Sequence, residues 1–263
     1  MSLGKMFDLS GKTAVITGGA GYLGAAISES LAEAGATVFI ASKNQVKCQL
    51  LADSLNQSYN TGSSGIFMDV GDNKSIADCF SKINKMGRNI DILINNAYFG
   101  SGGTLEKISE EEWNRGIDGT INNVFKCTKN VLPYMISKKS GVIINVASMY
   151  GIISPNPDLY VNNPYHNPPH YGAGKAAIIQ YTRYLACHYG NEGIRVNCIS
   201  PGAFPNSNVQ KDETFVNRLI EKSPLRRIGH PDDLKGVIAL LASDASSYIT
   251  GQNISIDGGW TAW

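Results

Sequence analysis

The stretch Thr17-Gly-Gly-Ala-Gly-Tyr-Leu-Gly24 decides the fold. It stands between a short apolar run, TAVIT (13–17), and a helical one, LGAAISESLAEAG (23–35). In the latter Leu23, Ala26, Ile27, Ser30, Leu31 and Ala34 recur at three- and four-residue spacing before Gly35 supplies a stop. Strand, glycine loop and helix in that order leave backbone N–H groups free at the helix start, aimed at a diphosphate. Gly18 is placed to take the tight turn, while Gly21 and Gly24 permit close approach of ligand and of helix to strand. No Gly-Lys-Ser/Thr follows, which argues against an ATPase or GTPase.

Outward from this loop, extended and helical segments alternate. TVFIA (37–41), GIFM (65–68), DILIN (91–95), GVIINVA (141–147), IRVNCIS (194–200) and NISI (253–256) read as strands. KNQVKCQLLADSL (43–55), 73–86, 122–138, 171–189, a short piece ending near Lys222 and 232–241 read as helices. Strands apolar throughout and separated by helices make a parallel sheet covered on both faces. That alternation suits a doubly wound sheet and a closed barrel equally, and the glycine loop selects the former. The expected fold is therefore α/β: one Rossmann-type domain over 1–263, a doubly wound parallel sheet with helices on both faces. The only abrupt change of texture is SPNPDLYVNNPYHNPPH (154–170), with five prolines and four asparagines, which reads as an ordered surface loop.

Composition narrows the function. With 23 basic and 22 acidic residues the net charge is +1, so no basic stripe is available for nucleic acid. A hydrophobic content of 43% against 17% charged describes a folded globule. The apolar runs fall short of a bilayer span, and MSLGKMFDLSG lacks the apolar core of a signal peptide. Cys48, Cys79, Cys127, Cys187 and Cys198 are scattered without metal or redox spacing, as expected of free thiols in a reducing compartment. The expectation is a cytoplasmic protein with a small-molecule substrate and no nucleic acid, membrane or metal partner.

Two further places carry chemistry. The end of the second strand should meet the adenosine ribose, where a carboxylate would hold the 2′-hydroxyl of NAD. The sequence there is ASKN (41–44); Ser42 can donate to a 2′-phosphate and Lys43 neutralise it, which favours NADP(H) over NAD(H). A lysine opening a surface helix can equally point into solvent. Asp69 can accept from an adenine amino group or cap a helix. Farther along, YGAGK sets Tyr171 and Lys175 four residues apart on one helix face. An ammonium beside a phenol favours phenolate, pulling the tyrosine below its usual value of about 10 and making it a proton donor and acceptor. Ser148, ending GVIINVAS, can hold the same substrate oxygen.

TGGAGYLG, NNA (95–97), Ser148, YGAGK, Pro201-Gly202 and the ending DGG (257–259) together resemble a short-chain dehydrogenase/reductase over essentially the whole chain. The resemblance implies Tyr171 as general acid/base, and Lys175 as its partner and a binder of the nicotinamide ribose. It implies Ser148 as the group orienting the substrate oxygen. It also implies a dinucleotide cleft lined by Gly18, Gly21, Tyr22, Leu23, Gly24, Val70, Asn95, Asn96, Ala97, Pro201 and Gly202. A homotetramer, or at least a homodimer, is the usual assembly. The helix after Tyr171, with Ile178, Ile179, Tyr181, Tyr184 and Leu185, and the tryptophans of GGWTAW (258–263) offer apolar surface for one.

Four departures stand out. Tyr22 takes the middle glycine position of the family's loop, with Gly21 before it. NNAY ends on Tyr98, where the family usually has glycine. Counting through WNRGIDGT (113–120), the family's catalytic asparagine falls on Thr120, whose hydroxyl could still hold a water; Asn122 or Asn123 could compensate only if the helix shifts. Ser148 and Tyr171 lie 23 positions apart, about ten more than usual, so 154–170 is an insertion at the substrate side. With 203–230 as the expected lid, the pocket mouth should carry Tyr98, Tyr150, Asn156, Tyr160, His166 and His170. Such amides, hydroxyls and imidazoles suit a sugar, sugar acid, polyol or sugar precursor. A 3-oxoacyl thioester or apolar ketone is the alternative, followed by a non-catalytic dinucleotide-binding scaffold and a sugar-nucleotide epimerase.

Overall fold

Seven strands make one parallel sheet: β1 (Thr13–Thr17), β2 (Thr37–Ser42), β3 (Ser64–Phe67), β4 (Ile92–Asn95), β5 (Gly141–Val146), β6 (Ile194–Pro201) and β7 (Asn253–Ile256). Their order is β3-β2-β1-β4-β5-β6-β7. The computed structural model describes residues 2–163 and 165–263; Met1 and Pro164, the latter within the inserted loop, lie outside the described residues. The chain winds outward from β1 to β3, then returns to place β4 on the other side of β1, in register Ala14–Ile92 to Ile16–Ile94. A crevice opens at the carboxyl ends of β1 and β4, where such folds place ligands. β1 and β4 are buried along their whole length because both faces are covered.

On one face pack α2 (Tyr22–Glu33) and α9 (Lys235–Ala242), whose Ile27, Leu31, Ile238 and Leu241 meet Ile16, Ile40 and Ile94. On the other face lie α4 (Asn73–Lys85) and α6 (Asn123–Lys138). Their Ile76, Phe80, Ile83, Val131 and Met135 meet Val15, Leu93 and Ile143. The short α1 (Leu3–Phe7) precedes β1, α3 (Gln45–Tyr59) joins β2 to β3, the long α7 (Pro169–Tyr189) follows the inserted loop, and α8 (Glu213–Lys222) comes between β6 and α9.

The helical stretch expected at 122–138 starts earlier. α5 (Glu110–Ile117) opens with a capping box in which Ser109 and Glu112 satisfy each other's backbone N–H groups. A π-helical turn at Asp118–Asn122 joins it to α6. The expected apolar surplus of α7 is smaller than its sequence implies. Ile178, Ile179 and Leu185 are buried within the same chain, leaving Tyr184 exposed. The terminal tryptophans also divide. Trp260 is buried against Met149, Leu159, Phe215 and Leu219, while Trp263 is 77% exposed. Among the described residues no helix is long and apolar enough to cross a membrane.

Residues 154–163 are bolted to the segment 203–230. Leu159 sits in that same apolar cluster, and Tyr160 packs on Phe215 with ring centres 5.9 Å apart. The Arg218 guanidinium donates to the carbonyls of Leu159 (3.2 Å) and Val161 (2.7 Å). Loop and α8 therefore form one packed body.

Candidate active site

The glycine loop is shaped by what it excludes. Gly18 has φ +63°, and its N–H donates to the Ala41 carbonyl (2.7 Å), tying loop to β2. A Cβ on Gly24 would collide with the Gly18 carbonyl oxygen, so helix and loop meet through bare backbone. Asn96 staples the loop from across the crevice, its Nδ2 donating to the carbonyls of Thr17 (3.0 Å) and Gly18 (3.1 Å). The Thr17 hydroxyl accepts from the N–H groups of Asn96 and Ala97, each at 3.0 Å. With Gly21 at the N-cap, no side chain occupies the first N–H groups of α2. This cradle fits the diphosphate of a dinucleotide.

A cavity of about 560 Å³ runs from that cradle in both directions. Toward the adenosine end its wall holds Ser42, Lys43 and Val70; toward the chemical end it holds Asn96, Ala97, Ser148, Tyr171, Lys175, Pro201 and Gly202. Tyr22 and Leu23 line it beside the glycines. Asp69 stands next to the wall and pairs with Lys43 at 2.9 Å. Burial pushes Asp69 upward, but hydrogen bonds from Lys43 and the Gly71 N–H, with the charges of Lys43 and Lys126, outweigh it and hold the carboxyl below its usual range. Of the two readings of Asp69, the helix cap falls to Asp72 instead, and Asp69 is the counter-ion of Lys43.

At the chemical end, Ser148 is buried just beyond β5 and α7 brings Tyr171 and Lys175 beside it. Lys175 is buried and donates to the Val146 carbonyl at 2.6 Å. Burial brings its pKa down to about 8. The expected lowering of Tyr171 does not appear in the protein alone. Burial raises the phenol, and a hydrogen bond with Ser148 only partly opposes it. The reason is geometric: Lys175 Nζ lies 5.5 Å from the Tyr171 ring centre and spends its hydrogen bond on a carbonyl.

Thr120 is buried behind this pair, off the cavity wall, and its hydroxyl donates to the Gly116 carbonyl at 2.8 Å. Gly174 makes room for it, since a Cβ there would strike the Thr120 side chain. Asn122 donates to Asp118 (2.6 Å), whereas Asn123 donates to the carbonyls of Gly119 (2.6 Å) and Ala97 (3.3 Å). Neither amide reaches Lys175; Asn123 instead anchors the backbone that carries Tyr98.

Of the mouth residues, Tyr98 alone joins Ser148, Tyr171 and Lys175 on the cavity wall. Tyr150, Tyr160 and His166 line a neighbouring open cavity of about 890 Å³, with Tyr150 and Tyr160 hydroxyls bonded at 2.8 Å. Asn156 caps the turn that follows it, accepting from the Asp158 N–H. His170 is fully buried against Trp113 and Gly116, and burial lowers its pKa.

Sequence reading overlooked Met68, Phe99 and Phe204 on the cavity wall. It also passed over a buried polar chain in which Asn95 Nδ2 donates to Asn145 (2.8 Å) and Asn145 Nδ2 donates to Thr182 (2.9 Å). That chain ties β4 through β5 to α7. The available signal was an asparagine inside the apolar run GVIINVA.

A family model described as enoyl-(acyl carrier protein) reductase matches residues 19–261. The chain is 34% identical to a 3-oxoacyl-(acyl-carrier-protein) reductase of Chlamydia trachomatis over 254 residues, 95% of this chain and 98% of the relative. It is 32% identical to galactitol 2-dehydrogenase of Rhizobium johnstonii, each covered completely. Among solved structures, a gluconate 5-dehydrogenase from Burkholderia cenocepacia, in complex with NADP and tartrate, superposes with a TM-score of 0.89 at 27% identity, covering 100% of both chains. With the doubly wound sheet, the glycine cradle and the Ser148–Tyr171–Lys175 cluster, these matches show that the chain belongs to the short-chain dehydrogenase/reductase family of nicotinamide-dependent oxidoreductases.

Proposed function

We propose that this oxidoreductase acts on a carbonyl or secondary alcohol of a polar, polyhydroxylated small molecule (a sugar, sugar acid, polyol or sugar precursor) and takes NADP(H) in preference to NAD(H). The observation that carries the reading is the polar lining of two neighbouring cavities. Ser148 and Tyr171 line one, while Tyr150, Tyr160 and His166 line the other, with the Tyr150 and Tyr160 hydroxyls bonded to each other at 2.8 Å. A pocket with this many donors favours a ligand that pairs them and penalises one that leaves them unpaired. The polyol and sugar-acid names among the relatives point the same way.

The dinucleotide, when bound, supplies or accepts the hydride. The chain's own groups do the rest. N–H groups of the Gly18–Gly24 loop hold the diphosphate, and Ser42 and Lys43 face the 2′ position. Ser148 fixes the substrate oxygen; Tyr171 gives its proton to that oxygen in reduction and takes it back in oxidation. Lys175, still largely protonated at neutral pH, offsets charge developing on the phenol. Thr120 acts as a packing residue through its bond to Gly116.

A second reading, reduction of a 3-oxoacyl thioester, is favoured by the family model's description and the chlamydial relative. Steady-state kinetics with NADPH on ketoses, keto-sugar acids and a 3-oxoacyl thioester decide between them. At least a tenfold higher kcat/KM on a polyhydroxylated compound is expected, and the reverse order overturns the reading. We further propose a homotetramer in a reducing, cytoplasmic compartment, supported by exposed Phe125 and Tyr184 and by five free thiols. A monomeric mass at micromolar concentration contradicts the assembly.

A further inference from the structure

We propose that Tyr98 sets the width of the substrate slot beside Tyr171. It admits carbonyl compounds whose reacting carbon bears slender, unbranched groups and refuses a branched or ring substituent on that side. The inference rests on the reading of Tyr171 as acid/base and deepens it by naming the shape of substrate the site accepts.

The ring of Tyr98 meets that of Tyr171 edge to face, with centres 5.1 Å apart and planes at 83°. Any carbonyl oxygen placed between Ser148 and Tyr171 therefore has the Tyr98 ring as its neighbour on one side. Tyr98 is 41% exposed, so one surface of it looks into the cavity while the other is backed by protein.

The backing lies close. A Cβ on Gly100 would lie 2.8 Å from the Tyr98 hydroxyl and 3.1 Å from His170 Nε2, so bare backbone sits directly behind the ring. His170 is itself wedged, with Trp113 edge-on at 6.4 Å and no space at Gly116 for a side chain. The backbone on either side of Tyr98 is held as well: Asn123 donates to the Ala97 carbonyl and the Phe99 N–H donates to the Gly119 carbonyl, both at 3.3 Å. Gly119 accepts that close approach because a Cβ there would collide with the Phe99 carbonyl. A ring anchored through the backbone on both sides and backed this closely acts as a wall, since moving it means displacing the Gly100 backbone or the buried His170. A fixed wall discriminates by size, and each extra carbon refused is worth about 10–200-fold in kcat/KM.

The test compares kcat/KM for unbranched ketones (butanone, hydroxyacetone) with that for ketones branched or ringed on both sides of the carbonyl (2,4-dimethylpentan-3-one, benzophenone) in the full-length enzyme with NADPH. Tyr98→Ala is expected to raise the branched-to-unbranched ratio about tenfold or more. Tyr98→Phe keeps the ratio within twofold of the parent. Gly100→Ala, which presses a methyl against the phenol from behind, lowers it. NADPH affinity, read by fluorescence titration, stays within threefold in all three. A ratio within twofold of the parent in Tyr98→Ala overturns the proposal, as does a parallel fall on both ketone classes. If no polyhydroxylated compound is turned over yet the ratio shifts as stated, the slot stands and the polyol reading alone fails.

Discussion

The nucleotide end of the cleft is made of backbone, and the chemical end is made of side chains carried in from distant elements. Around Gly18–Gly24 the contacts are a helix start, a positive φ and one asparagine reaching across the crevice, all within the β1–α2 turn and the end of β4. Around Tyr171 the contributors are Tyr98 after β4, Ser148 after β5, α7 and Phe204 after β6. Backbone surfaces recognise what is common to every dinucleotide, whereas side chains from separate loops and a helix can be changed one at a time. A family can therefore keep one cofactor cradle and alter its substrates freely.

The largest effect expected from breaking this division falls on the chemical end alone. Tyr171→Phe removes the proton donor but no contact of the glycine cradle. Turnover should fall about 10²–10⁴-fold while dinucleotide affinity stays within threefold. Stopped-flow or steady-state assays on whichever carbonyl compound the panel identifies check the first, and fluorescence titration the second. Turnover within tenfold of the parent removes Tyr171 from its role.

The same division governs how far the molecule is legible from its sequence. The β1–loop–α2 unit is local: strand, glycines and helix occupy Thr13 to Glu33, so spacing alone carries the geometry. The sheet followed from it because apolar runs between helices have few other arrangements. The inserted loop is different. Its asparagines and prolines read as polar recognition surface, but Leu159 and Tyr160 pack on Phe215 and Arg218 secures two of its carbonyls. Those partners lie more than fifty residues away, where no local pattern reaches. The effect of Lys175 on Tyr171 was hidden for a related reason: four-residue spacing puts the two side by side, but the ammonium donates to the Val146 carbonyl, from another element, and stands 5.5 Å from the ring centre. Ser109–Glu112 was the opposite case, a local capping box present in the sequence and passed over.

A matched pair of substitutions separates the two ends. Gly24→Ala drives a methyl into the Gly18 carbonyl, and backbone has to move. It should cost about 1–3 kcal/mol of stability in urea denaturation, and weaken NADPH at least tenfold. Arg218→Ala instead frees the carbonyls of Leu159 and Val161, loosening the inserted loop. Its expected signature is a rise of about fivefold in substrate KM, with kcat and dinucleotide affinity within twofold of the parent. Equal damage to cofactor binding in Arg218→Ala shows that the two ends are not independent.

The smallest expected effect probes a charged side chain at the nucleotide end. Lys43 is largely exposed, and in the protein alone its ammonium is already paired with Asp69 at 2.9 Å. A 2′-phosphate must therefore share Lys43 with a carboxylate, and exposed charge pairs contribute only about 0.2–1 kcal/mol. Lys43→Ala should weaken NADPH about two- to fivefold and leave NADH unchanged. Asp69→Asn, which removes the competing carboxylate and its repulsion of phosphate, should strengthen NADPH by a similar factor. Both shifts should shrink on going from low salt to about 0.5 M, where screening reaches only a few ångströms. Titrating each variant with both dinucleotides at two salt concentrations measures this directly. Equal losses for NADPH and NADH in Lys43→Ala, or a parent that binds NADH more tightly, mean that Lys43 serves Asp69 and not the cofactor, and the nucleotide end is then recognised by backbone alone.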